Sequence, residues 1–245
     1  MPETNYWRTD RPAEGGPTTQ PPADPVLPVR TFLPDQYEPR YPYPLVVLFH
    51  GRGGNEDQVL RLAPRLSSQN FVYVGIRGPE QLGQPADGRP ACGWAHPDAA
   101  EMLPEYARLV VELTRRTYHI HSERVYLAGV NEGCEAAFRA AFGLGDRVAG
   151  VIALNGAMPR PTPGQPLFRL PAVRNLRVFL GHGVANVDCP RAVAERDYRL
   201  LYTAGADVHY RTYPTARKIH SGMLRDVNHW IIGNVNAEYE SYQLK

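Results

Sequence analysis

The five residues Gly129-Val130-Asn131-Glu132-Gly133 stand between a short apolar run, residues 124–128 (RVYLA), and a stretch rich in alanine and phenylalanine, residues 132–142. Two glycines around a central residue, at a turn from strand to helix, are the layout that presents a nucleophile for acyl transfer. The turn is too sharp to admit side chains beside the central position. That central residue takes a positive φ, which asparagine tolerates better than most non-glycine residues. Asn131 therefore suits the turn, but its amide has no ionisable O–H to surrender and cannot act as a serine would. Cys134, three residues on, carries a thiol, but a cysteine one turn into such a helix reads first as a small packed hydrophobe. His119 and His121 have the spacing of a metal pair without a third ligand nearby, and read as loop histidines. Nothing in the sequence calls for a metal or a cofactor.

The elements that would position such a turn alternate along the chain. Residues 28–34, 45–49, 71–76, 124–128, 148–154, 176–180 and 208–213 are short apolar runs of the kind buried on both faces of a parallel sheet. Between them, residues 56–67, 103–117, 132–142, 190–203 and 222–235 place apolar side chains at helical spacing. Val59, Leu62 and Leu66 share one face, as do Tyr106, Leu109 and Leu113, or Met223, Val227 and Trp230. Gly205 is placed to end the fourth of these helices. This alternation predicts an α/β fold, a mostly parallel central sheet with helices on both faces. In such sheets the working site lies beyond the carboxyl ends of the strands.

Four segments carry a resemblance to the carboxylesterase/phospholipase (serine esterase) family of the α/β-hydrolase superfamily. LVVLFHGRGGNEDQ resembles its first oxyanion segment, VYLAGVNEGCEAAF its nucleophile elbow, VFLGHGVANVDCP its acid loop, and RTYPTARKIHSGMLRDVNHWI its histidine loop and last helix. The resemblance spans about residues 28 to 237, in the family's order of nucleophile, acid and histidine. It puts Asn131, Asn186 and Arg217 at the three triad positions. Asn186 lacks the charge that orients and stabilises an imidazole, and Arg217 cannot take up a proton near neutral pH. By the same resemblance the backbone N–H groups of Arg52 and Glu132 form the oxyanion hole. His50 and Gly51 belong to its loop, Trp94 to the pocket region, and Asn155 and Met158 to the pocket wall.

These residues imply a catalytically inactive pseudoenzyme, an esterase-like fold serving as a binding or assembly module. Arg217 and the two N–H groups would cradle a small carboxylate or ester ligand; alternatively, Arg217 pairs with Glu132 or another acid and plugs the pocket. The competing reading is an active carboxylic-ester hydrolase built from the displaced groups Cys134, Asp188 and His220. A third is a structural subunit that docks through its surface or its N-terminal segment. The family resemblance also implies self-association as a homodimer, and a protein partner belongs to the third reading.

Composition sets outer limits. Across 245 residues, 43% are hydrophobic and 21% charged, which supports a sizeable core and excludes global disorder. A net charge of +2 provides no strong field for nucleic acid, and no apolar run is long enough to span a membrane. Three cysteines are too few for a disulfide framework and point to a reducing, cytoplasmic setting. Eleven of the 24 prolines fall within the first 44 residues. Residues 1–27 therefore read as a proline-rich extension ahead of a single domain over residues 28–245.

Overall fold

The computed structural model describes residues 7–9, 28–83, 88–160 and 167–243. In chain order the strands are β1 (Trp7–Thr9), β2 (Val29–Phe32), β3 (Tyr43–Phe49), β4 (Val72–Ile76), β5 (Glu80–Gly83), β6 (Ala91–Gly93), β7 (Ile120–Val130), β8 (Gly150–Leu154), β9 (Arg177–Gly183) and β10 (Asp207–Tyr213). The helices are α1 (Glu56–Leu60), α2 (Ala63–Leu66), α3 (Ala99–Thr117), α4 (Gly133–Leu144), α5 (Leu170–Val173), α6 (Arg191–Thr203) and α7 (Ser221–Gln243). One sheet runs β1-β2-β4-β3-β7-β8-β9-β10, and β5 and β6 form a separate hairpin. From β4 to β10 every pairing is parallel; β1–β2 and β2–β4 are antiparallel.

The strands bury both faces, and alternation along them sorts their side chains into two cores. Leu45, Val47 and Phe49 of β3 point with Leu127 and Val151 toward α3, α4 and α6. Val46 and Leu48 point with Tyr126 and Ile152 toward α1, α2 and α7. Helices thus cover both faces, as the alternating pattern predicts.

Several boundaries differ from the sequence reading. The helix expected over residues 56–67 is two short ones, because Pro64, in the first turn of α2, has no N–H to continue a helix from α1. Helix α3 begins at Ala99 and carries Pro104 inside it, its ring seated against Gly143 of α4. Its buried face is Leu103, Ala107, Val110, Val111 and Thr114, rotated from the expected Tyr106, Leu109 and Leu113. Packing on α4, whose Ala136 and Ala140 are buried, sets that face. The β5–β6 hairpin and α5 are too short to leave a periodic signal. Of the extension expected over residues 1–27, only residues 7–9 lie among those described, and they add an edge strand to β2.

The turn from β7 into α4 is packed tightly against backbone near the sheet's carboxyl edge. A β-carbon on Gly133 would be driven into the carbonyl oxygens of Phe49 and His50, and one on Gly129 into Gly133 and Cys134. Neither neighbour is a side-chain end that can swing away. Gly129→Ala and Gly133→Ala are each expected to destabilise the fold by about 3 kcal/mol, as overpacking against fixed backbone does. Urea denaturation of the two variants checks this, and a loss below about 1 kcal/mol would contradict the packing.

Candidate functional site

Asn131 occupies the apex of this turn with φ +52°, the left-handed region. Its N–H donates to the Leu154 carbonyl at 2.9 Å, and its carbonyl accepts from Cys134 N–H at 3.1 Å. Its side-chain Oδ1 is buried and has no hydrogen-bond partner among the described residues. The turn thus has the left-handed apex that the sequence predicts, with the Asn131 amide at it.

Next to it lies a charge bridge. The Arg217 guanidinium donates through Nη2 to both Glu132 carboxylate oxygens, at 3.1 and 3.2 Å, and through Nη1 to Asp188 Oδ2 at 3.0 Å. The Arg52 backbone N–H donates to Glu132 Oε2 at 3.2 Å. Two of the three groups expected to cradle a carboxylate, Arg217 and the Arg52 N–H, therefore meet on one carboxylate, and it belongs to the chain. Sequence reasoning assigned Glu132 a backbone N–H role and raised its pairing with Arg217 as an alternative. That its side chain also sits on the Arg52 N–H could not be read from spacing. The three side chains are 45% to 54% exposed, so each pair contributes only about 0.2–1 kcal/mol. Arg52's own guanidinium is directed elsewhere, in a bidentate pair with Glu80 of the hairpin at 3.0 Å for each bond.

The loops bearing this bridge are tied from below by two buried asparagines. Asn155, also left-handed at φ +62°, donates through Nδ2 to the carbonyls of Arg217 and Lys218 at 3.0 and 3.2 Å. Its Oδ1 accepts from Gly183 N–H at 2.8 Å. Asn186 donates to the Asn155 carbonyl at 3.1 Å and accepts from Cys189 N–H at 3.2 Å. One cluster therefore joins the segments after β8, β9 and β10. Asn155 was expected to shape the pocket wall, and it does border the cleft, but its larger part is to hold three loops together.

Among the remaining expected residues, His50 accepts from Gly78 N–H at Nε2 (2.9 Å), which leaves Nδ1–H to donate to the Gly51 carbonyl (2.8 Å). Burial lowers its pKa, partly offset by that carbonyl. A second buried histidine outside that set, His182, pairs through Nε2 with the Cys189 carbonyl at 2.8 Å, and burial lowers its pKa too. Both support loops. Trp94 donates to the His50 carbonyl at 2.6 Å, joins the core, and borders a cleft of about 570 Å³ with Arg52 and Glu132. A second cleft of about 650 Å³ is bordered by Asn131, Glu132, Asn155, Met158, Asn186 and Arg217. A shallower groove holds His50, Gly51 and Arg52 beside Asn131 and Arg217.

Cys134, Asp188 and His220 each bond to groups other than one another. Cys134 is fully buried, donates to the carbonyls of Gly129 (3.2 Å) and Leu154 (3.5 Å), and has its pKa pushed far up by burial. Asp188 is engaged by Arg217. His220 accepts the Gly222 N–H through Nδ1 at 3.1 Å. The helical pitch carries Cys134 down against the sheet, away from the bridge. His119 and His121 flank the first residue of β7, and no cluster of three metal-ligating side chains occurs among the described residues. Nor is any described helix long and apolar enough to cross a membrane.

Asn155→Ala is expected to cost about 3 kcal/mol, from three hydrogen bonds of a buried side chain and a left-handed backbone. Arg217→Ala, which removes only exposed pairs, should cost under about 1 kcal/mol. Equal losses in chemical denaturation would refute the division between buried tie and surface bridge. The lowered pKa values of His50 and His182 mean that the unfolded chain binds protons first as pH falls. Stability is therefore full above their ordinary value of 6.5 and declines as pH drops below it toward the native values. Urea midpoints at pH 7.5 and 5.5 test the sign, and His50→Gln should flatten the decline.

Comparison with known proteins bears on this geometry. A family model described as Phospholipase/Carboxylesterase matches residues 38–234. Among solved structures, a Bacillus cereus carboxylesterase is 20% identical, covering 86% of this chain and 96% of its own, with a TM-score of 0.64. A Mesorhizobium loti carboxylesterase is 19% identical over the same shares, with a TM-score of 0.65. Zea mays acyl-protein thioesterase 2 is 18% identical, covering 84% and 98%, with a TM-score of 0.63. A sequence search of curated proteins finds no match. The structural likenesses establish the α/β-hydrolase fold, and the matched span of the family model establishes that the chain belongs to the phospholipase/carboxylesterase family.

Proposed function

We propose that this chain is a catalytically inactive member of its family, retained as a binding or assembly module. The observation that carries the reading is the Glu132 carboxylate seated on the Arg52 N–H and clamped by Arg217. Ester hydrolysis in this fold needs a nucleophile at the elbow, a base to take its proton and an open donor for the developing oxyanion. At the elbow stands an amide. Where the base belongs by resemblance stands a guanidinium, which holds its proton at every physiological pH. Over the oxyanion donor stands a negative charge, which repels another. Asn186, at the acid position by resemblance, spends its amide on loop hydrogen bonds.

A small carboxylate or ester as ligand, and a second copy or another protein as partner, belong to this reading. So does a cytoplasmic setting, supported by the three cysteines being free thiols.

A fluorophosphonate probe and short-chain aryl esters test the proposal on the full chain. The expected result is no labelling and no turnover above the buffer rate. Turnover that Cys134→Ala abolishes would overturn it in favour of displaced catalysis, and labelling at any other residue would overturn it as well. Size-exclusion chromatography with light scattering, with and without residues 1–27, reads the assembly role.

A further inference from the structure

The larger cleft beside Asn131 is a binding site for an organic monocarboxylate, we infer, in which the ligand's carboxylate takes the place of the Glu132 carboxylate between Arg217 and the Arg52 N–H. The inference rests on the inactive, binding-module reading and assigns that module its ligand class.

Three observations converge on it. The first is geometric. A carboxylate already lies in the site, accepting one backbone N–H and both bonds of one guanidinium nitrogen, so the donors are arranged for that group. The second is how weakly the resident is held. Glu132 is about half exposed, gives no side-chain cap to α4, and contacts only exposed partners. It can turn into water without leaving a buried charge behind, whereas Arg217 keeps its backbone tied to Asn155.

The third is charge balance. Along the cleft Arg139 is paired with Glu135, and Arg196 with Asp197. Arg217 is shared between Glu132 and Asp188. Arg160 borders the same cleft without an ion-pair partner among the described residues. Counting Asp197, which pairs with Arg196 from behind the wall, the opposing charges are equal in number with Glu132 in place. With Glu132 turned out, the cleft lacks one negative charge, and a monoanion restores the balance. The volume of about 650 Å³ and a wall that includes Met158, Pro190 and Val193 leave room for an apolar body behind the carboxylate. Glu132 is then a built-in competitor that keeps the site neutral until an acid with additional apolar contacts displaces it.

The test titrates the full-length protein with hexanoate, with neutral hexanamide and with inorganic phosphate, by calorimetry or ligand-observed NMR. Glu132→Ala is expected to tighten hexanoate binding about 3- to 10-fold over wild type, because it removes a competitor and a like charge. Glu132→Gln, which keeps an acceptor for the Arg52 N–H but not the charge, should fall between. Adding Arg217→Ala to Glu132→Ala should reverse the gain about 10-fold or more. Hexanamide should not respond to Glu132→Ala. The inference is overturned if hexanamide gains as much as hexanoate, if the gain survives Arg217→Ala, if no form of the protein binds hexanoate, or if phosphate binds the Glu132→Ala variant more tightly than hexanoate. Fluorophosphonate labelling of the wild type reports separately on the inactive reading, so either idea can fail while the other stands.

Discussion

The site depends on one steric constraint, the contact of the β7–α4 turn with the carbonyls at the end of β3. Because Gly133 has no side chain, α4 starts hard against Phe49 and His50. That contact fixes the direction in which Asn131 and Glu132 leave the sheet. The loop over residues 50–54 lies against the same turn, with Gly51 close to the Asn131 side chain and the Arg52 N–H in reach of Glu132. The bridge to Arg217 and the boundaries of the clefts follow from that placement. Nothing in this chain of contacts depends on the identity of the elbow side chain, provided its residue accepts a positive φ. The turn can therefore keep its shape with an amide at its apex.

How much of this was legible beforehand depended on how local its cause was. The sheet was visible because β3, β4 and β8 are unbroken apolar runs, and the elbow because two glycines bracket one residue after such a run. The split of α1 from α2 was legible in Pro64 but outweighed by the spacing of Val59, Leu62 and Leu66. The rotated face of α3 was not legible, since it is set by which neighbour presents small residues, and α4 does so from beyond the intervening strand β7. Likewise Asn155 gave no sign of its three hydrogen bonds, because its partners come from after β9 and β10. Asn186 and Arg217 fall in the loops that follow β9 and β10. That Arg217 meets two acids at once was a fact of the folded loops alone.

The site also separates two kinds of polar contact by burial. The asparagine cluster lies out of water, where each bond lost leaves an unmet donor or acceptor. The arginine bridge lies in water, where each partner has an alternative at small cost. The backbone positions of residues 155, 183 and 217 are thereby set independently of what the Arg217 side chain is doing. Scaffold and contents of the cleft do not trade against each other.

That separation gives the surface bridge a sensitivity that the tie beneath it lacks. Interactions between exposed charges are screened by dissolved salt, over a Debye length of about 8 Å at physiological ionic strength and about 3 Å at 1 M. Hydrogen bonds between uncharged amides in the interior are not. As ions accumulate, the strap formed by Glu132, Arg217 and Asp188 slackens while the loops beneath it keep their places. In dilute solution it draws tight. The side chains at the mouth of the cleft are thus held by contacts that salt weakens, above loops that salt leaves in place.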